Sequence, residues 1–104
     1  MIIQFNTDSN IKGSEALKTL LTDIISEELS RFSNHITRVE VHLSDENGRK
    51  EGLNDKRCML EARIEGRKPI AVINHADNHE QSVSGAIDKL KASLDTIFGR
   101  LKNH

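Results

Sequence analysis

His75 and His79, with Asp77 between them, have a spacing that could bind a metal ion. Two imidazoles four residues apart can bind one metal ion when both lie on the same face of a helix. Asp77, however, stands three residues before Glu80, and this spacing predicts a capping box with Asp77 as the N-cap of the last helix. Because His75 then lies outside the helix and no third ligand is evident, the sequence does not predict a metal site.

Cys58 is the only cysteine in the sequence. It lies in a predicted strand at one of the alternate positions that face the core, and no activating base is evident. We therefore interpret it as a core residue and not as a nucleophile. The sequence contains no glycine-rich phosphate loop, serine elbow or paired-cysteine motif. The segment Asp45-Glu46-Asn47-Gly48 does not fit the register of a calcium loop. From these residues we therefore expect neither an enzyme nor a small-molecule substrate.

Basic side chains are the remaining candidates for a functional role, because several acting together can neutralise the phosphates of RNA. The candidate RNA-binding residues are Arg38, Lys56, Arg57, Arg63, Arg67, Lys68, Lys89, Lys91, Arg100 and Lys102. The alternative interpretation is that neighbouring carboxylates pair with these cations and leave a surface that is merely soluble. Glu40, Glu61, Glu65 and Asp88 are the carboxylates in question. Spacing alone does not decide between the two interpretations.

The composition limits how such a protein could bind RNA. The 104 residues include 15 Lys and Arg against 16 Asp and Glu, for a formal net charge of −1, so any RNA affinity must come from a local patch. Aromatic residues are only 3%, without Trp or Tyr, which disfavours a sheet that stacks unpaired bases. The length predicts one domain over residues 1–104. The lone cysteine and the lack of a signal peptide or membrane span predict a cytosolic protein.

Hydrophobic periodicity predicts the elements that position these side chains. Ile2 to Phe5 suit a first strand, and a stripe of leucines and isoleucines after the N-cap Ser14 predicts a helix that ends near Ser33 and Asn34. A second stripe, from Val83 to Leu101, predicts the last helix.

Three strands are predicted between the helices. Arg38 to Leu43 and Arg57 to Ile64 alternate apolar and polar residues, as in half-buried strands, and Pro69 opens a last strand through Ile73. A long polar loop, Ser44 to Asp55, separates the first two of these. The order β-α-β-β-β-α predicts an α+β fold in which a four-stranded sheet carries two helices on one face, with its first two strands parallel.

Three segments resemble the ribosome hibernation-promoting factor and ribosome-associated inhibitor family. Residues 31–43, RFSNHITRVEVHL, resemble the end of the first helix and the second strand in that family. Ala86-Ile87-Asp88, followed by Lys89-Leu90, resembles the start of its last helix, and Ser14-Glu15-Ala16-Leu17 resembles its first helix cap. The resemblance lies in the order of these motifs and covers nearly the whole chain.

The resemblance implies a fold akin to double-stranded RNA-binding domains and a partner, the small ribosomal subunit with its rRNA. It also implies a factor that inhibits translation and preserves ribosomes under stress, without catalysis and without a cofactor. The length of the chain resembles that of the short family members. Two departures stand out: the last helix is less basic than is usual, with Ser93 and Thr96 at positions that are often Lys or Arg, and the loop from Ser44 to Asp55 is longer. The alternative is a protein-interaction or self-association module of the same fold, which would use the open sheet face around Met59 and His42.

Overall fold

The computed structural model describes residues 1–7, 15–45 and 56–99. In chain order, its elements are β1 (Ile2–Thr7), α1 (Glu15–Glu28), a 3₁₀ turn (Ser30–Phe32), β2 (Ile36–Asp45), β3 (Lys56–Ile64), β4 (Ile70–Ala76), α2 (His79–Leu94) and a π-helical turn (Asp95–Gly99). None of the helices in these ranges is both long enough and apolar enough to span a membrane.

The four strands form one mixed sheet in the order β1-β2-β3-β4. β1 pairs with β2 in parallel, which requires the crossover that α1 provides, whereas β2–β3 and β3–β4 are antiparallel. The predicted α+β fold and element order are confirmed.

The core lies between the helices and one face of the sheet, because alternate strand residues point toward the helices. Cys58, Leu60, Ala62 and Ile64 are buried in β3, as predicted from their parity. The side chains that form the core are Leu21, Ile25, Leu29, Phe32, Ile36, Val39, Val41, Leu43, Cys58, Leu60, Ala62, Ile64, Val83, Ala86, Ile87, Leu90, Leu94 and Phe98. No helix within the described residues covers the opposite face of the sheet, and its side chains are half-buried or exposed.

The predicted cap of α2 is wrong by one residue. Asn78, and not Asp77, is the N-cap: its backbone is extended and its side-chain oxygen accepts a hydrogen bond of 2.8 Å from the Gln81 N–H. The sequence satisfies the capping pattern in both frames, since Gln81 follows Asn78 at the same spacing as Glu80 follows Asp77. The structure places His75 in β4 and His79 in α2, so the two imidazoles belong to different elements.

Other boundaries also differ from the prediction. The regular part of the first helix ends at Glu28, and the tighter 3₁₀ turn that follows carries Phe32 into the core. Ser44 and Asp45 extend β2 instead of starting the loop, β4 continues to Ala76, and α2 gives way to the π-helical turn after Leu94. The predicted N-cap Ser14, the rest of the loop and Leu101 lie outside the described residues.

Gly85 allows α2 to approach β4 closely. A Cβ at this position would lie 2.6 Å from Cγ of Asn74, which is well inside van der Waals contact. Asn74 is fixed there because its Nδ2 donates a hydrogen bond of 3.2 Å to the Ser82 carbonyl of α2. A side chain at position 85 must therefore displace Asn74 and break this link between strand and helix.

The close approach predicts that Gly85→Ala destabilises or stabilises the protein depending on the residue at position 74. Gly85→Ala should lower the free energy of unfolding by about 1–2 kcal/mol, because the cost of overpacking exceeds alanine's advantage in helix propensity. In an Asn74→Ala background, the same change should raise it by about 0.5–1 kcal/mol. Urea denaturation of the unmodified chain, the two single variants and the double variant measures both changes in the free energy of unfolding. A stabilising effect of Gly85→Ala in the unmodified protein would contradict the predicted clash.

Candidate nucleic-acid interface

The open sheet face carries an ion-pair network centred on Glu40 of β2. Arg63 Nε lies 3.1 Å from Glu40 Oε2, and Arg38 Nη2 lies 3.3 Å from the same oxygen. Arg63 also reaches Glu61, with 3.6 Å between Nη2 and Oε1, and His42 Nε2 is 3.7 Å from Glu40 Oε1. The network follows from the strand register, which pairs Glu40 with Glu61 and Arg38 with Arg63 across β2 and β3. Two of the predicted RNA-binding arginines thus have their charge largely compensated by carboxylates on the same face.

Three of the predicted lysines are engaged within the protein. Lys56 Nζ lies 3.1 Å from Asp45 Oδ2, where β2 and β3 meet at their far end, and Lys91 Nζ lies 3.1 Å from Glu28 Oε1, joining α2 to α1. Lys89 Nζ donates a hydrogen bond of 2.7 Å to the Ile73 carbonyl. Because β4 is an edge strand, this bond occupies a backbone acceptor that would otherwise be open to another strand.

Arg57, Arg67 and Lys68 differ from the other described candidates, since none of their side chains forms an ion pair or a hydrogen bond with another described residue. Arg57 is half-buried on the open face, opposite Ser44 and His75. Arg67 and Lys68 are exposed in the connection between β3 and β4. Arg100 and Lys102 lie outside the described residues.

A cluster of rings and guanidinium groups lies at the β3–β4 turn. We call this the turn-end cluster, and its members are Arg31, Phe32, His35, Arg67 and Phe98. The imidazole of His35 stacks on the Phe98 ring, with centroids 4.1 Å apart and 14° between the planes, and the Phe32 and Phe98 centroids are 6.3 Å apart. The guanidinium of Arg67 lies 5.6 Å from the Phe98 centroid, and that of Arg31 lies 4.5 Å from the Phe32 centroid.

Sequence analysis did not identify Arg31 or His35 as candidate binding residues. Arg31 forms an ion pair with Asp95, 64 positions further along the chain, and His35 meets Phe98 across a similar separation. No local spacing rule reports contacts of this range. In the sequence, Arg31 stands beside the apolar Phe32 near the end of a predicted helix. Many solvent-exposed arginines have such a position, so it does not identify a binding residue.

The helical layer, residues 15–32 and 79–99, is acidic. It contains seven carboxylates, Glu15, Asp23, Glu27, Glu28, Glu80, Asp88 and Asp95, against the four cations Lys18, Arg31, Lys89 and Lys91. Only Glu28 and Asp95 form ion pairs with other described residues, and the other five carboxylates have no ion-pair partner within the described part of the chain. The layer that covers the core thus presents a negative surface to solvent.

The described residues include no group of three or more His, Cys, Asp or Glu side chains that could hold a metal ion. Burial raises the pKa of the Cys58 thiol from its ordinary value of 9.0 to about 12, the neighbouring Arg57 opposing this only in part, so the thiol is protonated at neutral pH. A groove between α1 and the start of α2 is lined by Ile24, Asn78, Glu80, Gln81 and Ser84. Glu80 is the only titratable side chain among these lining residues.

Comparisons with known proteins identify the family. A family model described as "Sigma 54 modulation protein / S30EA ribosomal protein" matches residues 3–102. No curated protein sequence gives a significant match. The resemblance to the hibernation-promoting factor family that the sequence suggested is confirmed by the family match.

Two solved structures have the same fold. The Thermus thermophilus protein Y N-terminal domain is 16% identical, with a TM-score of 0.67, and the match covers 93% of this chain and 99% of that one. A ribosomal subunit interface protein from Coxiella burnetii is 19% identical, with a TM-score of 0.71, and the match covers 95% of this chain and 99% of that one. At 16% and 19% sequence identity, the similarity to these two structures establishes the fold alone.

Proposed function

The chain belongs to the sigma 54 modulation protein / S30EA ribosomal protein family, which includes the hibernation-promoting factors, and on this premise we propose that it is a cytosolic factor that docks on the rRNA of the small ribosomal subunit. There it inhibits translation and preserves ribosomes under stress. In this role residues 1–104 act as one domain, and neither a cofactor nor a catalytic step is needed. The observation that carries this proposal is the family match over residues 3–102.

The charge distribution supports a weak and salt-sensitive contact with RNA. With a net charge of −1, the chain lacks the general attraction to polyanions of a strongly basic protein, so binding depends on a few cations. Arg57, Arg67 and Lys68 have no side-chain partner among the described residues to give up before they meet a phosphate, and Lys89 would give up its hydrogen bond to the Ile73 carbonyl. Arg38, Arg63, Lys56 and Lys91 would first have to leave an ion pair.

A salt titration tests the proposal. The purified chain should sediment with isolated small subunits at low salt, and three phosphate contacts should make the affinity fall on the order of 30-fold between 50 and 200 mM salt. Addition of the chain should also lower the yield of a reconstituted translation reaction. Failure to sediment with small subunits at 50 mM salt would refute ribosome docking.

A second candidate function uses the open sheet face to bind protein. His42, Met59 and Ile73 form one row across β2, β3 and β4, and the Ile73 side chain is 41% exposed. Ile2 on the same face is 65% exposed, which gives the face an apolar character beside its ion pairs. An apolar interface there would keep or gain affinity as salt rises, so the same titration separates the two functions.

A further inference from the structure

We infer that two copies of this chain pair through their β1 strands, antiparallel about a twofold axis at Gln4, so that their two sheets become one continuous sheet. This self-association goes beyond the proposed function and does not depend on it. Three observations carry it: the unpaired backbone edge of β1, the protected edge of β4, and a run of side chains in β1 that can match a second copy of itself.

The outer edge of β1 is open within the described part of the chain. β1 lies at one end of the sheet and pairs with β2 alone, so alternate backbone N–H and C=O groups point away from the sheet. Apart from this pairing, residues Ile2–Asn6 form no hydrogen bond with another described residue. Such a row of unpaired donors and acceptors is a template for a further strand.

The opposite edge of the sheet, β4, is protected. Lys68 and Pro69 stand directly before the strand, and proline cannot donate a backbone hydrogen bond. Within the strand, Lys89 Nζ donates a hydrogen bond of 2.7 Å to the Ile73 carbonyl. Charged residues and proline at an edge oppose pairing with another chain, and the β1 sequence, Ile-Ile-Gln-Phe-Asn-Thr, contains neither. Of the two edges, β1 is therefore the one suited to receive a strand.

The side chains of β1 favour the addition of a strand. Ile3 and Phe5 pack against the core but are only partly buried. Ile2, on the open face of the sheet, is 65% exposed. β-branched and aromatic residues stabilise strands when a neighbouring strand covers them. A strand paired with β1 would therefore remove apolar surface from water on both faces of the sheet.

A second copy of β1 is the partner that fits this edge. A twofold interface brings a surface against itself, so any charge on it meets a like charge, and β1 carries no charged side chain. With Gln4 on the axis, Ile3 of each chain lies opposite Phe5 of the other, an aromatic and β-branched pair that stabilises antiparallel strands. This register pairs every residue from Ile2 to Asn6, whereas an axis at Phe5 leaves Ile2 beyond the end of the partner strand.

The length of β1 sets the strength of the association. Five paired residues span about 17 Å, so the interface falls in the small class that buries less than about 1,200 Å². Interfaces of this size are characteristic of weak and transient contacts. We expect a dissociation constant on the order of 100 μM, which makes the chain a monomer when dilute and a dimer at high local concentration.

Charged variants of Gln4 test both the pairing and its register. The Gln4 side chain is exposed, so its replacement should leave the fold intact. Gln4→Lys and Gln4→Glu each place two like charges opposite one another and should raise the dissociation constant about fivefold. An equal mixture of the two variants should associate at least as strongly as the unmodified chain, because unlike charges then meet on the axis. Sedimentation equilibrium between about 20 and 500 μM measures these values.

Ala71→Lys is the matched control. One row of residues crosses the sheet from Gln4 through Glu40 and Glu61 to Ala71, so each end of the row adjoins a glutamate. Ala71 is exposed like Gln4 but belongs to β4. The lysine at this end should change the dissociation constant less than about twofold, because no charge is added at the β1 edge.

Several results would overturn the inference. One is an unmodified chain that remains monomeric at about 500 μM, five times the expected dissociation constant. Another is an equal loss of association in Ala71→Lys, which would assign the contact to the β4 edge or the open sheet face. A third is a mixture of Gln4→Lys and Gln4→Glu that associates no better than either variant, since the strands then do not meet at Gln4. Circular dichroism checks that each variant is folded.

Hydrogen exchange in the unmodified chain is an independent measurement. The backbone N–H groups of β1 that point away from β2 should exchange about threefold more slowly at about 500 μM than at about 20 μM, because pairing protects them. The N–H groups of β4 should exchange at the same rate at both concentrations. Unchanged exchange in β1, in a sample that sediments as a dimer, would locate the interface elsewhere and overturn the inference.

Discussion

Replacing Phe98 with alanine should lower the free energy of unfolding by about 3 kcal/mol, which is the low end of the range for a buried phenylalanine. The Phe98 ring is 7% exposed, and it contacts Phe32 and His35, which belong to the 3₁₀ turn and to the chain just before β2. Its loss therefore removes apolar burial and leaves a cavity where three parts of the chain meet. Urea denaturation, followed by circular dichroism, measures the change.

Phe98→Leu is the matched control, because leucine keeps most of the apolar volume and removes the aromatic ring. We expect it to cost only about 1 kcal/mol, since volume-conserving substitutions in a core are tolerated. The leucine variant should nevertheless bind small subunits more weakly than the unmodified chain, because Arg67 loses the ring that holds it. An alanine variant as stable as the unmodified protein would mean that the ring does not pack as described.

Cys58 should make the fold unstable in alkali. Its pKa is about 12 in the folded chain against an ordinary value of 9.0, because burial in β3 disfavours the thiolate. Between these two values the unfolded chain has lost the thiol proton while the folded chain retains it, so the free energy of unfolding decreases as the pH rises. At about 1.4 kcal/mol per pH unit, the loss should reach about 4 kcal/mol by pH 12 and is absent below pH 9.

Cys58→Ala isolates this effect from the titration of the lysines, which also lose their protons in alkali. The alanine variant should be less stable at neutral pH, by about 1 kcal/mol for the lost apolar volume. Its free energy of unfolding should then fall less steeply than that of the unmodified chain between pH 9 and pH 11. Parallel slopes for the two proteins would show that the thiol is not protected by the fold. Slow reaction of Cys58 with a thiol reagent at pH 8, accelerated by denaturant, is a second measurement.

The sequence contains enough information for the order and faces of the strands. In β3, Cys58 and Leu60 alternate with Met59 and Glu61, and this period of two is unambiguous because one face is covered by helices and the other is open. The parallel pairing of β1 with β2 follows from the single helix between them. Local pattern and global fold agree at these positions, so the fold could be predicted.

The ends of the helices were less predictable because the sequence supports more than one frame. Asp77 and Asn78 are both good N-caps, and each is followed three residues later by Glu or Gln. Local spacing does not decide between the two frames, and in the structure the Asn78 side chain accepts the capping hydrogen bond from the Gln81 N–H.

The candidate interface was predictable only as a set of cations. Which of them are available depends on their neighbours in space: Glu40 lies between Arg38 and Arg63 because of the β2–β3 register, and Glu28 reaches Lys91 from the other helix. A sequence pattern gives the parity of Arg63 but not the partner that its guanidinium finds. The grouping of Arg31, Arg67 and Phe98 depends in the same way on where three distant segments end.

The parallel pairing of β1 with β2 has a consequence for how the chain is made. Each residue of β1 finds its partner 36 positions later, as Ile2 does with Arg38, whereas Ala62 in β3 is only eight positions from Ile70 in β4. During synthesis β1 emerges before α1 and β2 and cannot pair until both have followed, because a parallel strand needs its crossover. Ile3 and Phe5, which finally pack against the core, are therefore exposed during that interval and are available to a nascent-chain chaperone.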